Sequence, residues 1–261
     1  MKKHGKRDGE GALRSRIAGA FGRLGRAFGR AVYPPDVTCD LCGAELVADT
    51  RYNLCARCLS EMPFTGERVC LCCGAPHTDE ADYCLRCQRT DSVFRHNRSP
   101  LVYEGAAKQL ILDLKFGKKK YIAKLLGAMM SDDYLSRGGD SEIIVFVPMT
   151  AKEKSARGFN QAELLAREVG ARLELPVLPA LEKIKESLPQ KELSAKERAE
   201  NLKGCFSAAY GEYIKGRKIL LVDDVFTTGA TANECASVLL KNKVKEVCVL
   251  TAAVAKPAEK S

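Results

Sequence analysis

Residues 219–231 read Ile-Leu-Leu-Val-Asp-Asp-Val-Phe-Thr-Thr-Gly-Ala-Thr. An apolar run ends in Asp223 and Asp224, and Thr227, Thr228, Gly229, Ala230 and Thr231 follow. The run has the pattern of a parallel strand buried on both faces. Open α/β sheets bind ligands at the carboxyl ends of such strands. A helix expected over residues 232–240 opens at the turn, where its first N–H groups lack partners and favour an anion. The threonines add hydroxyl donors, and Gly229 lets the backbone approach a ligand closely. Carboxylates repel phosphate, so the acid pair should face sugar hydroxyls or a cation. Phosphate beside a vicinal diol describes a ribose 5-phosphate group. Helix capping alone would need one such residue, and this turn spends two acids and three threonines. No Gly-Lys-Ser/Thr follows, so it is not a Walker loop.

A second constellation is Val147-Pro148-Met149-Thr150 followed by Arg157-Gly158-Phe159-Asn160-Gln161. It falls at a strand end and a helix start, on the same face of the sheet as the acid pair. Residues 151–156 between them read as a short polar loop carrying Lys152 and Lys154. With Arg157 these lysines could hold a second anion. The competing reading is an ordinary surface connection. A third segment, from Ser187 through Gln190, Leu193, Arg198 and Asn201 to Phe206, reads as a hood or lid. None of the three histidines, His4, His77 and His96, is near these motifs in sequence.

Nine of the 12 cysteines lie between Cys39 and Cys87. They form a repeat: Cys39-x-x-Cys42-Gly-Ala, then Cys55-x-Arg-Cys58, and again Cys70-x-x-Cys73-Gly-Ala, then Cys84-x-Arg-Cys87. Two such knuckles supply the four thiolates of a closed, structural zinc site. Alignment of the halves leaves Cys72 as the spare. The simplest pairing is sequential, with a cross-braced one open. This stretch has few large apolar side chains, so metal must supply its folding energy, on the order of 10 kcal/mol per site. Cys205, Cys235 and Cys248 read as small buried apolar residues. Arginines interrupt every candidate export segment, and no run could span a membrane. The expected compartment is the cytoplasm, where clustered cysteines mean metal before disulfides.

The organisation follows. Residues 1–32 are a basic extension, disordered over 1–12 with an amphipathic helix over 14–32. Residues 33–92 are the double zinc ribbon, residues 88–100 include a polar linker, and residues 95–256 are an α/β domain. Net charge is +9, and residues 1–38 carry +6 of it. The tail could touch nucleic acid or an anionic surface, or dock on the chain itself. Helices are expected over 106–116, 121–130 and 161–173, with strands over 143–147 and 246–253. Lysines 115–120 read as a solvated turn. Strands alternating with helices imply a parallel sheet.

The 219–231 stretch resembles the phosphoribosyltransferase signature. Together with the doubled knuckles, Leu114-Lys115-Phe116-Gly117, Val-Pro-Met-Thr, Arg-Gly-Phe-Asn-Gln and the Gln190 to Asn201 segment, it resembles the ComF family. The resemblance covers residues 33 to about 254. It implies a double zinc ribbon ahead of a type I phosphoribosyltransferase-like sheet flanked by helices. It implies two structural Zn²⁺ ions, Mg²⁺ with phosphoribosyl pyrophosphate (PRPP), and phosphoribosyl transfer to an acceptor. It links the chain to single-stranded DNA and the DNA-uptake machinery of natural transformation. An alternative is a non-catalytic single-strand-binding or adaptor protein that keeps the PRPP site as a sensor or relic. By the same resemblance, Asp223 and Asp224 hold ribose hydroxyls and 227–231 hold the 5-phosphate. Lys152, Lys154 and Arg157 neutralise pyrophosphate. The chain departs from the family at Ser187, often threonine there, and at Ala151, Glu153 and Ser155, which make that loop less basic.

Overall fold

The computed structural model describes residues 38–46, 50–77, 81–186 and 195–256. The expected disordered stretch 1–12, the amphipathic helix over 14–32 and the Ser187 to Leu193 part of the hood lie outside them. The chain divides into two compact units, Met1–Cys55 and Ala56–Ser261.

In the first unit, Thr38 bridges Glu45 antiparallel across a tight knuckle. Cys39 N donates to Ala44 O at 2.7 Å, and Gly43 N donates to Cys39 O at 2.8 Å. Gly43 has φ +73°, a conformation that suits glycine.

The second unit repeats this knuckle. Val69 bridges Pro76, Cys70 N donates to Ala75 O and Gly74 N to Cys70 O, each at 2.9 Å. Its elements run as α1 (Ala56–Ser60), β1 (Asn97–Arg98), β2 (Leu101–Val102), α2 (Gly105–Phe116), α3 (Ile122–Ser136), β3 (Ile143–Phe146), α4 (Ala151–Arg157) and α5 (Gln161–Leu173). They continue as β4 (Val177–Leu178), β5 (Leu181–Lys183), α6 (Ala195–Leu202), β6 (Phe206–Ala208), α7 (Gly211–Ile214), β7 (Lys218–Phe226), α8 (Ala230–Lys241) and β8 (Glu246–Val254). The main sheet is parallel with order β1-β8-β7-β3-β4, and β2 also pairs with β8. β5 and β6 form a separate antiparallel pair. Ile219, Leu220, Leu221 and Val222 are fully buried, as a central parallel strand covered on both faces must be. α3 and α5 pack on each other and on β8, β7 and β3, while α8 packs on β7 and β8 with α6. No helix among the described residues is long and apolar enough to cross a membrane.

Three expectations need correction. Residues 88–100 are not a plain linker, because Asn97 and Arg98 form a strand on β8. Asn97 is fully buried and its polar atoms are used: Nδ2 donates to Cys73 O and Ser99 Oγ, each at 2.9 Å. Ser99 Oγ lies 2.7 Å from Thr251 Oγ1. Polar composition here marks a buried network, not solvent. Residues 151–156 are not a loop but most of α4. Thr150 Oγ1 accepts from Glu153 N at 3.1 Å and Glu153 Oε2 accepts from Thr150 N at 2.7 Å, a capping box that starts the helix. Finally, Lys115 is not in a solvated turn; it sits on the last turn of α2 with its side chain 20% exposed.

Candidate functional site

The acids lie inside β7, which runs on to Phe226. Successive strand residues project to opposite faces, and this separates the pair. Asp223 lines a small cavity of about 20 Å³ with Thr227, Gly229, Thr231 and Thr251. Asp224 is buried, with its side chain 6% exposed, and forms an ion pair with Lys115. Each acid also accepts a backbone bond, Asp223 Oδ1 from Asp224 N at 2.8 Å and Asp224 Oδ1 from Val225 N at 3.0 Å.

The electrostatics tie both acids to Lys115. Burial pushes the Asp223 carboxyl up to about 6, and Lys115 opposes the shift. Burial pulls Lys115 down to about 8, Asp223 opposes this, and Arg157 adds to it. Arg157 is the third member of the group. Its guanidinium stacks 5.2 Å from the centre of the Phe116 ring, and Nη1 donates to Gln161 Oε1 at 2.6 Å.

The rest of the Arg-Gly-Phe-Asn-Gln motif builds the joint between helices. Gly158 ends α4 with φ +85°. Asn160 caps α5 by accepting from Ala162 N at 3.0 Å, and its Nδ2 donates to Val147 O at 2.9 Å, fastening β3 to α5. Lys152 and Lys154 point elsewhere. Lys152 pairs with Glu186 and Lys154 with Glu163. Lys154 lines a separate cavity of about 420 Å³ with Pro148, Met149 and Lys183, which does not include the acids. Of the three cations expected around pyrophosphate, only Arg157 is grouped with the acid pair, and Lys115 takes a place that sequence reasoning missed. The only signal for it was Lys115 within Leu-Lys-Phe-Gly.

Thr227, Thr228 and Gly229 make the bend, and α8 starts at Ala230. Thr228 Oγ1 accepts from Ala230 N at 3.4 Å. Gly229 has φ +83°, and a Cβ there would stand 2.7 Å from Phe226 Cζ. Gly229→Ala is expected to destabilise the protein by about 1–3 kcal/mol, read as a lower urea midpoint with an unchanged slope.

The second ribbon supports this bend. Arg86 Nη1 donates to Thr227 O at 2.6 Å. Val93 N donates to Asn233 Oδ1 at 2.8 Å. Phe94 meets Phe226 edge-to-face at 5.9 Å. Arg86 was visible in the sequence only as the shared Cys-x-Arg-Cys arginine.

In the second unit the sulfurs of Cys70, Cys73, Cys84 and Cys87 lie within 4.8 Å of one another, and in the first unit those of Cys39, Cys42 and Cys55 do the same, with Cys58 three residues further along the chain. The pairing is therefore sequential. Zn–S bonds of about 2.3 Å in a tetrahedron require sulfurs about 3.8 Å apart. Cys42 and Cys55 sulfurs are 3.8 Å apart, as are those of Cys73 and Cys84. The donors fit structural zinc, with every position filled by thiolate. Cys72 stands outside the groups, 3.3 Å from Ser92 Oγ. Cys205, Cys235 and Cys248 are buried, and burial pushes the Cys248 thiol up to about 12, consistent with inert core residues.

Residues 28–88 match the double zinc ribbon domain. The chain is 31% identical over 216 residues to competence protein F of Haemophilus influenzae, covering 76% of this chain and 88% of that one. It is 30% identical to the DNA utilization protein YhgH of Escherichia coli, covering 81% and 94%. It is 26% identical to competence protein ComFC of Bacillus subtilis, covering 82% and 93%. A solved adenine phosphoribosyltransferase from Thermoanaerobacter pseudethanolicus is similar over 53% of this chain and 82% of its own at 14% identity, with a TM-score of 0.33, a value that carries no weight here. Doubled cysteine knuckles, the acid pair at the end of a central parallel strand and similarity along most of the relatives' length agree, and the chain belongs to the ComF family of competence and DNA-utilization proteins.

Proposed function

We propose that this chain binds PRPP at the 223–231 turn and transfers its phosphoribosyl group to an acceptor, in a role connected with DNA uptake or utilization as the relatives' names state for them. One observation carries this reading: Asp223, Thr227, Gly229 and Thr231 line one cavity at the carboxyl end of the central strand. The threonine hydroxyls and the start of α8 offer donors to the 5-phosphate. Asp223 offers an acceptor to ribose hydroxyls. A cavity of about 20 Å³ admits little more than one water, so only part of the ligand enters it and the remainder lies across its mouth. Asp223 would hold the Mg²⁺ that accompanies PRPP, and that ion would supply positive charge to the departing pyrophosphate. Arg157 and Lys115 add positive charge nearby, so that catalysis rests on positioning and charge stabilisation. Lys152 and Lys154 pair with Glu186 and Glu163 and lie outside this cavity.

Calorimetry with PRPP and Mg²⁺ is expected to give binding, and Asp223→Asn to weaken it at least about 100-fold, roughly 3 kcal/mol. Absence of heat with the native protein, or equal binding by the variant, would rule the reading out. The pH dependence has a definite sign. Asp223 holds its proton more tightly in the folded protein, so its contribution to stability is lost as pH rises from about 4 to about 6. Ligand binding, which needs the carboxylate, should instead rise over that interval, with a midpoint near 6. Pyrophosphate release in the presence of nucleobases or single-stranded DNA separates transferase from sensor: binding without release supports the sensor.

A further inference from the structure

At the outer edge of the sheet, beside the first residues of β8, is a cavity of about 390 Å³ that shares no residue with the acid-pair cavity. Arg98 of β1 lines it, with Arg95 and His96 just before that strand, Arg137 at the end of α3 and Tyr83 of the second ribbon. Three guanidinium groups thus converge on one space.

The acids near it are partly engaged: Asp133 uses Oδ1, while its Oδ2 is buried with no hydrogen-bond partner. Glu246 Oε1 holds Arg95 Nη1 at 3.0 Å, and Asp133 Oδ1 holds Arg137 Nε at 2.9 Å. Arg137 Nη2 reaches Gly66 O at 2.9 Å, and Asp140 is paired with Lys218. Arg98 is half-buried, and its Nη1 has no hydrogen-bond partner. Burial disfavours its charge, Arg137 and Arg95 add repulsion, and Asp133 offsets part of it. His96 is lowered to about 4, first by burial and then by Arg98 and Arg95, so it adds no positive charge at neutral pH. A half-buried, underpaired guanidinium is costly and is relieved by an anion. Guanidinium groups match phosphate oxygens in bidentate geometry. The volume exceeds what a bare phosphate fills, and the Tyr83 ring at the wall is 48% exposed, a surface on which a base can stack.

We infer that this edge cavity binds a nucleotide unit, its phosphate on Arg98 with Arg95 and Arg137 and its base against Tyr83. The unit could come from a free nucleotide or from a single strand. The site is independent of the PRPP reading, and PRPP calorimetry on the same variants keeps the two distinguishable.

The test uses the full zinc-loaded chain with two probes, thymidine 5′-monophosphate and a fluorescent oligothymidylate. Binding of either at moderate salt supports the site: equal affinity identifies a free nucleotide, and binding of the oligomer alone identifies a strand. Arg98→Gln is expected to weaken the bound probe at least about tenfold, the loss of one charge-assisted pair, with zinc content and PRPP binding unchanged. Tyr83→Ala should weaken it severalfold without altering the salt slope, while Arg95→Gln should shallow that slope. If Arg98→Gln fails to hold zinc, the exposed Tyr83 and Arg95 variants decide the matter. Native protein that binds neither probe, or variants at Arg95, Arg98 and Tyr83 that all bind like the native chain, would overturn the inference.

Discussion

Cys84→Ser is expected to leave the chain with about one zinc ion instead of about two, and to loosen the 227–231 turn although that turn is far away in sequence. A thiolate zinc site contributes on the order of 10 kcal/mol to folding, comparable to the whole net stability of a domain. The second ribbon therefore unfolds rather than adjusts. Arg86 stands two residues from Cys84 and donates to Thr227 O. Asn97 rests on the carbonyls of the same knuckle, through Nδ2 to Cys73 O and through its backbone N to Cys72 O at 2.7 Å. When the ribbon goes, both attachments go. Metal analysis should show the missing ion, and hydrogen exchange should show faster opening at 227–231. Arg86→Ala separates metal from attachment, because it should keep both zinc ions and still speed exchange at the turn. Full zinc content in Cys84→Ser, or native exchange at the turn in both variants, would refute the coupling.

The second large effect is at the buried ion pair. Lys115→Met is expected to destabilise the protein by about 3–5 kcal/mol, because it leaves the Asp224 carboxylate in the interior without its cation. Both partners are well covered, with side chains 20% and 6% exposed, so solvent screens the loss only slightly. Asp224→Asn removes the stranded charge, and the double variant should recover most of the loss. A coupling energy of at least about 1–2 kcal/mol in denaturant unfolding checks this. Additive effects would mean that the pair contributes little. PRPP calorimetry on the double variant asks a separate question: weaker binding at recovered stability would give Lys115 a role toward the ligand as well as toward the fold.

Much of the chain was legible because its signals are local. The knuckle repeat required nothing beyond the spacing of thiolates around a glycine turn, and Cys72 dropped out by aligning the halves. β7, β8 and α5 announced themselves by unbroken apolar runs or helical period. Two local signals were nevertheless misread. Thr150-x-x-Glu153 is a helix-start pattern, although Lys152 and Lys154 give the same stretch the composition of a polar loop. Asn97 and Ser99 have the polar composition of a linker, and buried hydrogen-bond networks have the same composition.

The amino-acid sequence by itself determined the two cysteine groups, the parallel α/β character and the acid-pair turn on which the proposed phosphoribose site rests. Each depends on residue type and spacing within a few turns of chain. Tertiary structure decided the rest. It sent Asp223 into the cavity and Asp224 onto Lys115, because adjacent residues of a strand face opposite sides and packing chose which side held the cation. It took Lys152 and Lys154 away from the site, because the helix that carries them points them at Glu186 and Glu163. It also gave one repeated arginine two uses. Arg57 pairs with Glu61 on an exposed helix, while Arg86 holds the carbonyl of Thr227. Spacing cannot distinguish the two, because the difference lies in the partner each arginine meets.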